Sequence, residues 1–429
     1  MVLIFNFVLL LLGVLAYTSI SYLLVLLVVA AKREKWVSNE PRDTPFTIII
    51  PAHNEEIVIA TTLESLLKQE YPRELFSIVV VADNCSDRTS EIAHGLGVFV
   101  LERANLVERG KGYALAFATN HLLESSDPAG AFVIVDADTW VAPDFLNKMS
   151  ARLKAQTDSR GYCALQGRYG VLNASEGWRA ALMSGAFDLF NHVKPMGRER
   201  LKLGVGLKGN GMVFTRSLMA AAPWKGDSVT EDIDYALDLV RHYDVRVGYV
   251  PEALVRAQMP TTSEQATSQR ERWEGGRYAL LRTKAIPLIA EAIRRRNAVL
   301  FDAAIDLFLP PLAELAFLIV GWAVLIEVGS YINIVHWATP WLWACTGAFV
   351  ALLMYILGGF AVSGASKEAY VALLCAPFYA IWKICLYAAK PFRKRKAQAS
   401  GQSEWVRTER TPISGQSPVS EPKATNELD

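Results

Sequence analysis

The first 31 residues, Met1 to Ala31, contain no Asp, Glu, Lys or Arg. About 20 apolar residues suffice to cross a bilayer, so this run is long enough to span one as a helix. A secretory signal would open on a basic segment and carry a shorter apolar stretch. Here the apolar run starts at once and ends at Lys32, Arg33 and Lys35. Residues 1–31 are therefore expected to form a retained transmembrane anchor whose basic flank stays in the cytoplasm.

The same pattern returns after Arg294, Arg295 and Arg296. Leu307–Ile326 holds one charged residue, Glu314, and none occurs between Glu327 and Lys367. Both stretches can span. The loop between them lacks Lys and Arg and is expected to face outside, which returns Lys367 to the inside. Ala369–Ala389 is interrupted by Pro377 and Lys383. It reads as a third span or as an interfacial or re-entrant helix. The second reading is preferred, because a span would place Arg393–Lys396 outside. The layout is thus transmembrane helices over 307–390, an interfacial amphipathic segment over 286–306 before them, and a mobile tail over 391–429 after them. The cytoplasmic domain occupies 43–285.

Charge narrows the function classes. Lys and Arg number 44 against 43 Asp and Glu, a net charge of +1. A nucleic-acid binder normally shows a basic excess, and none is present. The mean hydropathy of +0.21 reflects the two apolar ends. The five cysteines, Cys85, Cys163, Cys345, Cys375 and Cys385, make no CxxC pair, so neither a zinc site nor a disulfide framework is indicated.

In the middle region, short apolar runs alternate with helical patterns. Thr47–Ile50, Ile78–Val81, Val98–Leu101 and Phe132–Val135 read as strands, with helices over Glu56–Lys68, Asp87–Gly95 and Gly112–Leu123. This alternation predicts a parallel sheet covered by helices. In such a sheet ligands bind beyond the carboxyl ends of the strands. Acidic residues stand there: Asp83 after one run, Asp136 and Asp138 after another. Asp83 by itself also fits a turn or helix cap. Two carboxylates one residue apart are comfortable beside a divalent cation and a phosphate, since magnesium takes one or two carboxylates plus phosphate oxygens; a solvated turn is the plainer alternative.

Glu55, just past the first strand, can reach the same crevice or serve as first-turn helix charge. His53 is read as structural. Arg109, Lys111 and Gly112 form a basic loop suited to a diphosphate or merely to solvent. Thr230-Glu231-Asp232 opens a helix, either as cap and first-turn acids or as the seat of a general base. Gln269, Arg272 and Trp273 share one helical face, which suits a sugar phosphate or, alternatively, a membrane surface. The run Gly204-Val-Gly206-Leu-Lys-Gly209 matches a dinucleotide fingerprint in letters only, for it lacks the strand before and helix after. The longer run Lys208-Gly-Asn-Gly211 reads better as a close-approach loop near an acceptor, or simply as a glycine-rich turn.

Asp83, Asp136-Ala-Asp138, Thr230-Glu-Asp232 and Gln269-Arg-Glu-Arg-Trp273, in this order and between membrane segments, resemble the D, DxD, TED and QxxRW series of family-2 inverting glycosyltransferases. The likeness is to the membrane branch of cellulose, hyaluronan and chitin-oligosaccharide synthases. It implies an α/β GT-A domain and a nucleotide-diphosphate sugar donor such as a UDP-sugar. It also implies a Mg or Mn cation and a carbohydrate or lipid-linked acceptor, in an enzyme embedded in membrane lipids of the bacterial inner membrane. By this resemblance Asp83 contacts the base or ribose, with Glu55 nearby, and Lys111 lies on the nucleotide-sugar side. Asp138 ligates the metal and Asp136 holds the nucleotide side of the pair. Asp232 is the general base. Glu231, Gln269, Arg272 and Trp273 hold the diphosphate and acceptor. Ceramide glucosyltransferases, which add one sugar to a lipid, carry a variant of the last motif.

Overall fold

The computed structural model describes residues 2–32, 42–226, 230–259, 263–335 and 338–384, with the side chains of 263–266 and 268–272 excepted. Arg33, Lys35 and the tail over 391–429 lie outside the described residues. Helix α1 (Val2–Ala30) comes first. The domain then runs β1 (Phe46–Ala52), α2 (Ile59–Leu67), β2 (Phe76–Asp83), α3 (Thr89–Gly95), β3 (Phe99–Arg103), α4 (Lys111–Glu124) and β4 (Ala131–Ile134). The four expected strands and three expected helices all fall on these elements. Next come β5 (Thr139–Val141), α5 (Phe145–Gln156), β6 (Ala164–Val171) and α6 (Trp178–Asp188). A π turn (Leu189–Val193) joins α6 to α7 (Lys194–Arg200). After it follow β7 (Met212–Thr215), α8 (Arg216–Ala221), α9 (Glu231–Tyr243) and β8 (Val247–Ala257).

The strands form an eight-stranded sheet in the order β3-β2-β1-β4-β7-β6-β8-β5. Strands β1 to β4 pair in parallel, as expected. The rest corrects the expectation of an all-parallel sheet. β7 runs antiparallel to both β4 and β6, and β5 is antiparallel to β8. Alternating side chains of one strand serve opposite faces. Ile48 and Ile50 of β1 pack under α2, α3 and α5, while Ile49 packs on the other side with α4, α8 and α9. Apolar residues on both faces require helices on both faces, which is why β1, β2 and β4 read as unbroken apolar runs.

The chain continues as α10 (Ser263–Arg295) and α11 (Ala298–Phe308). These are followed by α12 (Leu312–Tyr331), α13 (Ala338–Ser363) and α14 (Lys367–Ala372). Residues 286–306 are thus the end of α10, a turn at Arg296 with φ 52°, and most of α11. α1, α12 and α13 are long and apolar enough to cross a membrane. The second of them starts at Leu312 rather than Leu307, because Pro310 and Pro311 cannot continue α11. Past α14, a short 3-10 turn leads into helical residues 376–384; the rest of the Ala369–Ala389 segment lies outside the described residues.

The domain is fastened to these helices at α7. A Cβ on Gly197 would lie 2.5 Å from the Leu26 carbonyl oxygen, so only glycine lets α7 rest on α1. Buried charge adds direction. Arg198 pairs with Asp302 and, at 2.9 Å, with Asp306 of α11, while Lys194 lies 2.5 Å from Asp306. The Tyr22 hydroxyl of α1 donates to Asp302 at 2.7 Å. Burial alone would raise the Asp306 carboxyl, but Lys194 and Arg198 overcome it and hold it far below the usual carboxylate range. Arg198→Leu leaves buried Asp302 without its cation and Asp306 with Lys194 alone, and is expected to cost about 3–5 kcal/mol, read as a fall in the thermal unfolding midpoint of the detergent-solubilised protein.

Candidate active site

The carboxyl ends of β1, β2 and β4 meet in one crevice. The loops after β1 and β2 are tied together across it. His53 Nδ1 lies 2.7 Å from the Asp83 carbonyl, and Asn54 Oδ1 accepts from the Ser86 N–H at 2.7 Å. Asn54 and Asn84 both adopt left-handed backbone, φ 56° and 51°, a conformation asparagine tolerates in tight turns. His53 is thus a structural residue, as read from the sequence. Glu55 belongs to the same turn, its backbone N–H donating to Thr89 Oγ1 at 2.7 Å.

Asp83 ends β2 opposite Arg103, its partner in the β2–β3 register. The Arg103 guanidinium donates to Asp83 Oδ1 at 2.8 Å, and both side chains are buried. Sequence reasoning missed Arg103, although it closes a strand run just as Asp83 does.

Past β4, Asp136 is paired with Lys111, the first residue of α4. The Lys111 ammonium also donates to the Gly209 carbonyl. Gly209 has φ +76°, and a Cβ there would sit 3.4 Å from Asp232 Oδ2 and 3.5 Å from Lys111 Nζ. The glycine-rich loop set aside as a dinucleotide site is therefore the spacer between the two charged groups. Asn210, read from the sequence only as part of that loop, is wholly buried. It accepts the Asp136 N–H at 3.2 Å and donates to Thr139 Oγ1 at 2.8 Å, pinning the turn that carries both aspartates. Asp138 is buried on that turn, where the Ala137 carbonyl accepts from Thr62 Oγ1 at 2.7 Å.

Glu231 and Asp232 start α9. Thr230 stands at the cap position, but its side chain makes no capping bond. Asp232 Oδ1 accepts from the Ile233 N–H at 2.8 Å. Burial, then the Asp232 charge, raises the Glu231 carboxyl, and Lys111 pulls it back. Burial likewise raises Asp232, against the Ile233 N–H and Lys111. The Lys111 ammonium is disfavoured by burial, yet Asp136, Glu231 and Asp232 hold its pKa above the ordinary lysine value. One cation thus serves three carboxylates.

The helix α10 approaches this cluster through Gly276, where a Cβ would fall 2.2 Å from Thr230 Cγ2. Trp273, one turn earlier, is 39% exposed, with its ring 6.3 Å from that of Phe187. It therefore presents an accessible aromatic surface near the start of α9. The side chains of Gln269 and Arg272 lie outside the described residues.

Among the described residues no three His, Cys, Asp or Glu side chains gather to cage a metal. The donor set still fits magnesium or manganese, which commonly take one or two carboxylates and complete their shell with substrate phosphates and water.

The sequence model described as glycosyltransferase like family 2 matches residues 41–276. The chain belongs to that family. Its α/β domain has the GT-A fold, with helices able to span a membrane on both sides. Among curated relatives of this family-2 chain, a probable glycosyltransferase YdaM of Bacillus subtilis is 25% identical over 62% of this chain and 63% of its own length. A beta-monoglucosyldiacylglycerol synthase of Trichormus variabilis is 29% identical over 62% of this chain and 56% of its own. The family-2 chain thus matches less than two thirds of either relative. A mannosyltransferase from Pyrobaculum calidifontis, solved with GDP-Man and Mn2+, aligns at TM-score 0.48 and 18% identity, over 80% of this chain and 99% of that one.

Because Lys111 lowers both α9 carboxyls, Lys111→Met is expected to move the titration of Glu231 and Asp232 to higher pH. Carbon-detected NMR of the labelled carboxyls in wild type and variant checks this.

Proposed function

We propose that the chain is a membrane-bound inverting glycosyltransferase. It moves a sugar from a nucleotide-diphosphate sugar, a UDP-sugar in the first instance, to an acceptor held at the membrane. The observation that carries this reading is the meeting of Asp136, Lys111, Gly209 and Asp232 in one crevice within a family-2 domain. In this assignment Asp83 and Glu55 line the nucleoside end. Asp136 and Lys111 lie on the diphosphate side, and Asp138 holds the cation. When bound, a divalent cation offsets charge on the departing diphosphate. Asp232 takes the proton from the acceptor hydroxyl as that oxygen attacks the anomeric carbon. Its desolvation makes it a stronger base than an exposed carboxylate. Attack opposite the leaving group inverts the centre in one displacement. Glu231, Gln269, Arg272 and Trp273 are assigned to the diphosphate and acceptor.

Of the two acceptors expected, a growing saccharide or a lipid, one observation favours the lipid. The Trp273 helix is bonded directly to the membrane end of the molecule: Lys383, almost fully buried, lies 3.0 Å from Glu274 and 3.3 Å from Glu314 of α12. The domain is assigned to the cytoplasmic side of the cell membrane, where Arg294, Arg295, Arg296 and Lys367 belong by the positive-inside tendency.

Purified protein incubated with a panel of UDP- and GDP-sugars, with manganese or magnesium, should release nucleotide from one of them. Release from none would overturn the reading. Asp232→Asn should cut transfer roughly 100- to 10,000-fold while calorimetric donor affinity stays near wild type. The wild-type rate should fall on acidification from above the ordinary carboxylate range of about 4. A raised pKa keeps the base protonated, and so unable to accept a proton, over a wider acid range. An acid limb at the ordinary value would assign the base elsewhere. Asp138→Asn should weaken both turnover and the manganese dependence of donor binding; turnover indifferent to the variant and to a chelator would remove the metal role.

A further inference from the structure

A cation that this chemistry does not use stands beside Asp232. The π turn between α6 and α7 presents Phe190, 48% exposed, and such turns are concentrated at functional sites. Two lysines share its ring: Lys194 Nζ lies 4.4 Å from the centroid and Lys208 Nζ 4.1 Å. Lys194 is satisfied by Asp306. The Lys208 ammonium has neither an ion pair nor a hydrogen bond among the described residues; only its backbone N–H is bonded, to Gln166 Oε1 at 2.8 Å. In this cluster Lys194 and Arg198 are paired with Asp302 and Asp306, which leaves Lys208 facing only the charge of Asp232 and Asp306 from beyond ion-pair distance. Burial, then repulsion from Lys194, lowers the Lys208 pKa to about 7, although Asp306 and Asp232 pull the other way. A half-buried ammonium in that condition is short of an anion.

Its position says where the anion comes from. A Cβ on Gly209, the next residue, would lie 3.4 Å from Asp232 Oδ2, so Lys208 stands one residue from the proposed base. On the far side, Arg198 holds Asp302, which accepts from Tyr22 of α1. Arg200 bonds the Val29 carbonyl at 2.8 Å, near the end of the same helix. The span from Tyr22 to Ala30 is roughly 12 Å at 1.5 Å per residue. The cluster therefore lies level with the last turns of this candidate membrane helix, within roughly 12 Å of its end.

Resting on the transfer reading above, we propose that Lys208, over Phe190, binds the phosphate of a phospholipid with a hydroxylated headgroup, and that this lipid is the acceptor. The phosphate docks on the ammonium and the headgroup hydroxyl reaches Asp232. The hydroxyl oxygen then bonds to the anomeric carbon and the bond from that carbon to the diphosphate oxygen breaks. The proton passes to Asp232 and the nucleoside diphosphate leaves with the electron pair. A diacylglycerol would leave Lys208 unmatched.

Native mass spectrometry of the full chain in detergent tests this with three probes: dioleoylphosphatidylglycerol, dioleoylglycerol and free glycerol 3-phosphate. A hydrogen bond to a charged group contributes about 1.5–3 kcal/mol, so the phospholipid should be retained about tenfold or more over the neutral glyceride. Lys208→Met should abolish the preference and Lys208→Arg should keep it. Phe190→Leu, which removes the shared ring, should weaken it if Lys208→Met does not fold. Equal retention of the two lipids by the wild type would overturn the proposal. So would glycerol 3-phosphate competing as well as the phospholipid, or Lys208→Met losing nucleotide-sugar affinity while keeping the lipid preference. Selective lipid retention without nucleotide release from any donor would uphold the site and fault the transfer reading instead.

Discussion

Three carboxylates on two distant parts of the chain can share a crevice only if something holds their repulsion in check. Lys111 does so. It starts α4, pairs with Asp136 beyond β4, and lies in the field of Glu231 and Asp232 at the head of α9. Its second bond, to the Gly209 carbonyl, fixes the loop that separates the two acidic groups. A neutral residue at 111 would leave the sheet end and α9 pushing apart, and any side chain at 209 would occupy the space between ammonium and carboxylate. The arrangement is therefore electrostatic first and steric second.

The amino-terminal half of the domain was legible because its strands are buried on both faces and leave apolar runs in the sequence. The other half was not. β5 and β7 have only three and four residues, too few for a periodic signal. β6 carries Gln166, Gly167 and Arg168, and β8 contains Pro251, so neither resembles a strand by composition. Its mixed pairing followed from tertiary contacts that no local pattern records. The acids were found because charge at the end of an apolar run stands out. The role of Asn210 was not, because its work is to hold a turn 74 residues earlier in the chain. Arg103 matters only through the β2–β3 register that places it against Asp83. Lys208 was seen merely as part of a glycine-rich loop, since nothing in its neighbours forecasts a shared ring with Lys194.

Membrane helices and catalytic domain are joined by a combination of close backbone approach and paired charge. Gly197 permits contact with α1, and the Arg198–Asp302–Asp306–Lys194 group fixes its orientation. Apolar packing alone is tolerant of sliding, whereas buried ion pairs with hydrogen bonds accept few geometries. The charges cost desolvation and in return constrain how the domain sits on α1 and α11.

The π turn makes this join depend on chain count. Helix α6 turns Gly185 toward Phe360 of α13, whereas α7 turns Gly197 toward Leu26 of α1. A single residue advances an α-helix by about 100°, so the wider turn over Leu189–Val193 sets the phase between the two faces. Deleting one residue there would restore an uninterrupted α-helix and rotate everything beyond it by that angle. Gly197 would leave α1, and Arg198 would leave α11. In a chain of this design, one codon lost or gained between positions 189 and 193 would change which side chains meet α1 and α11, with every carboxylate of the crevice still encoded.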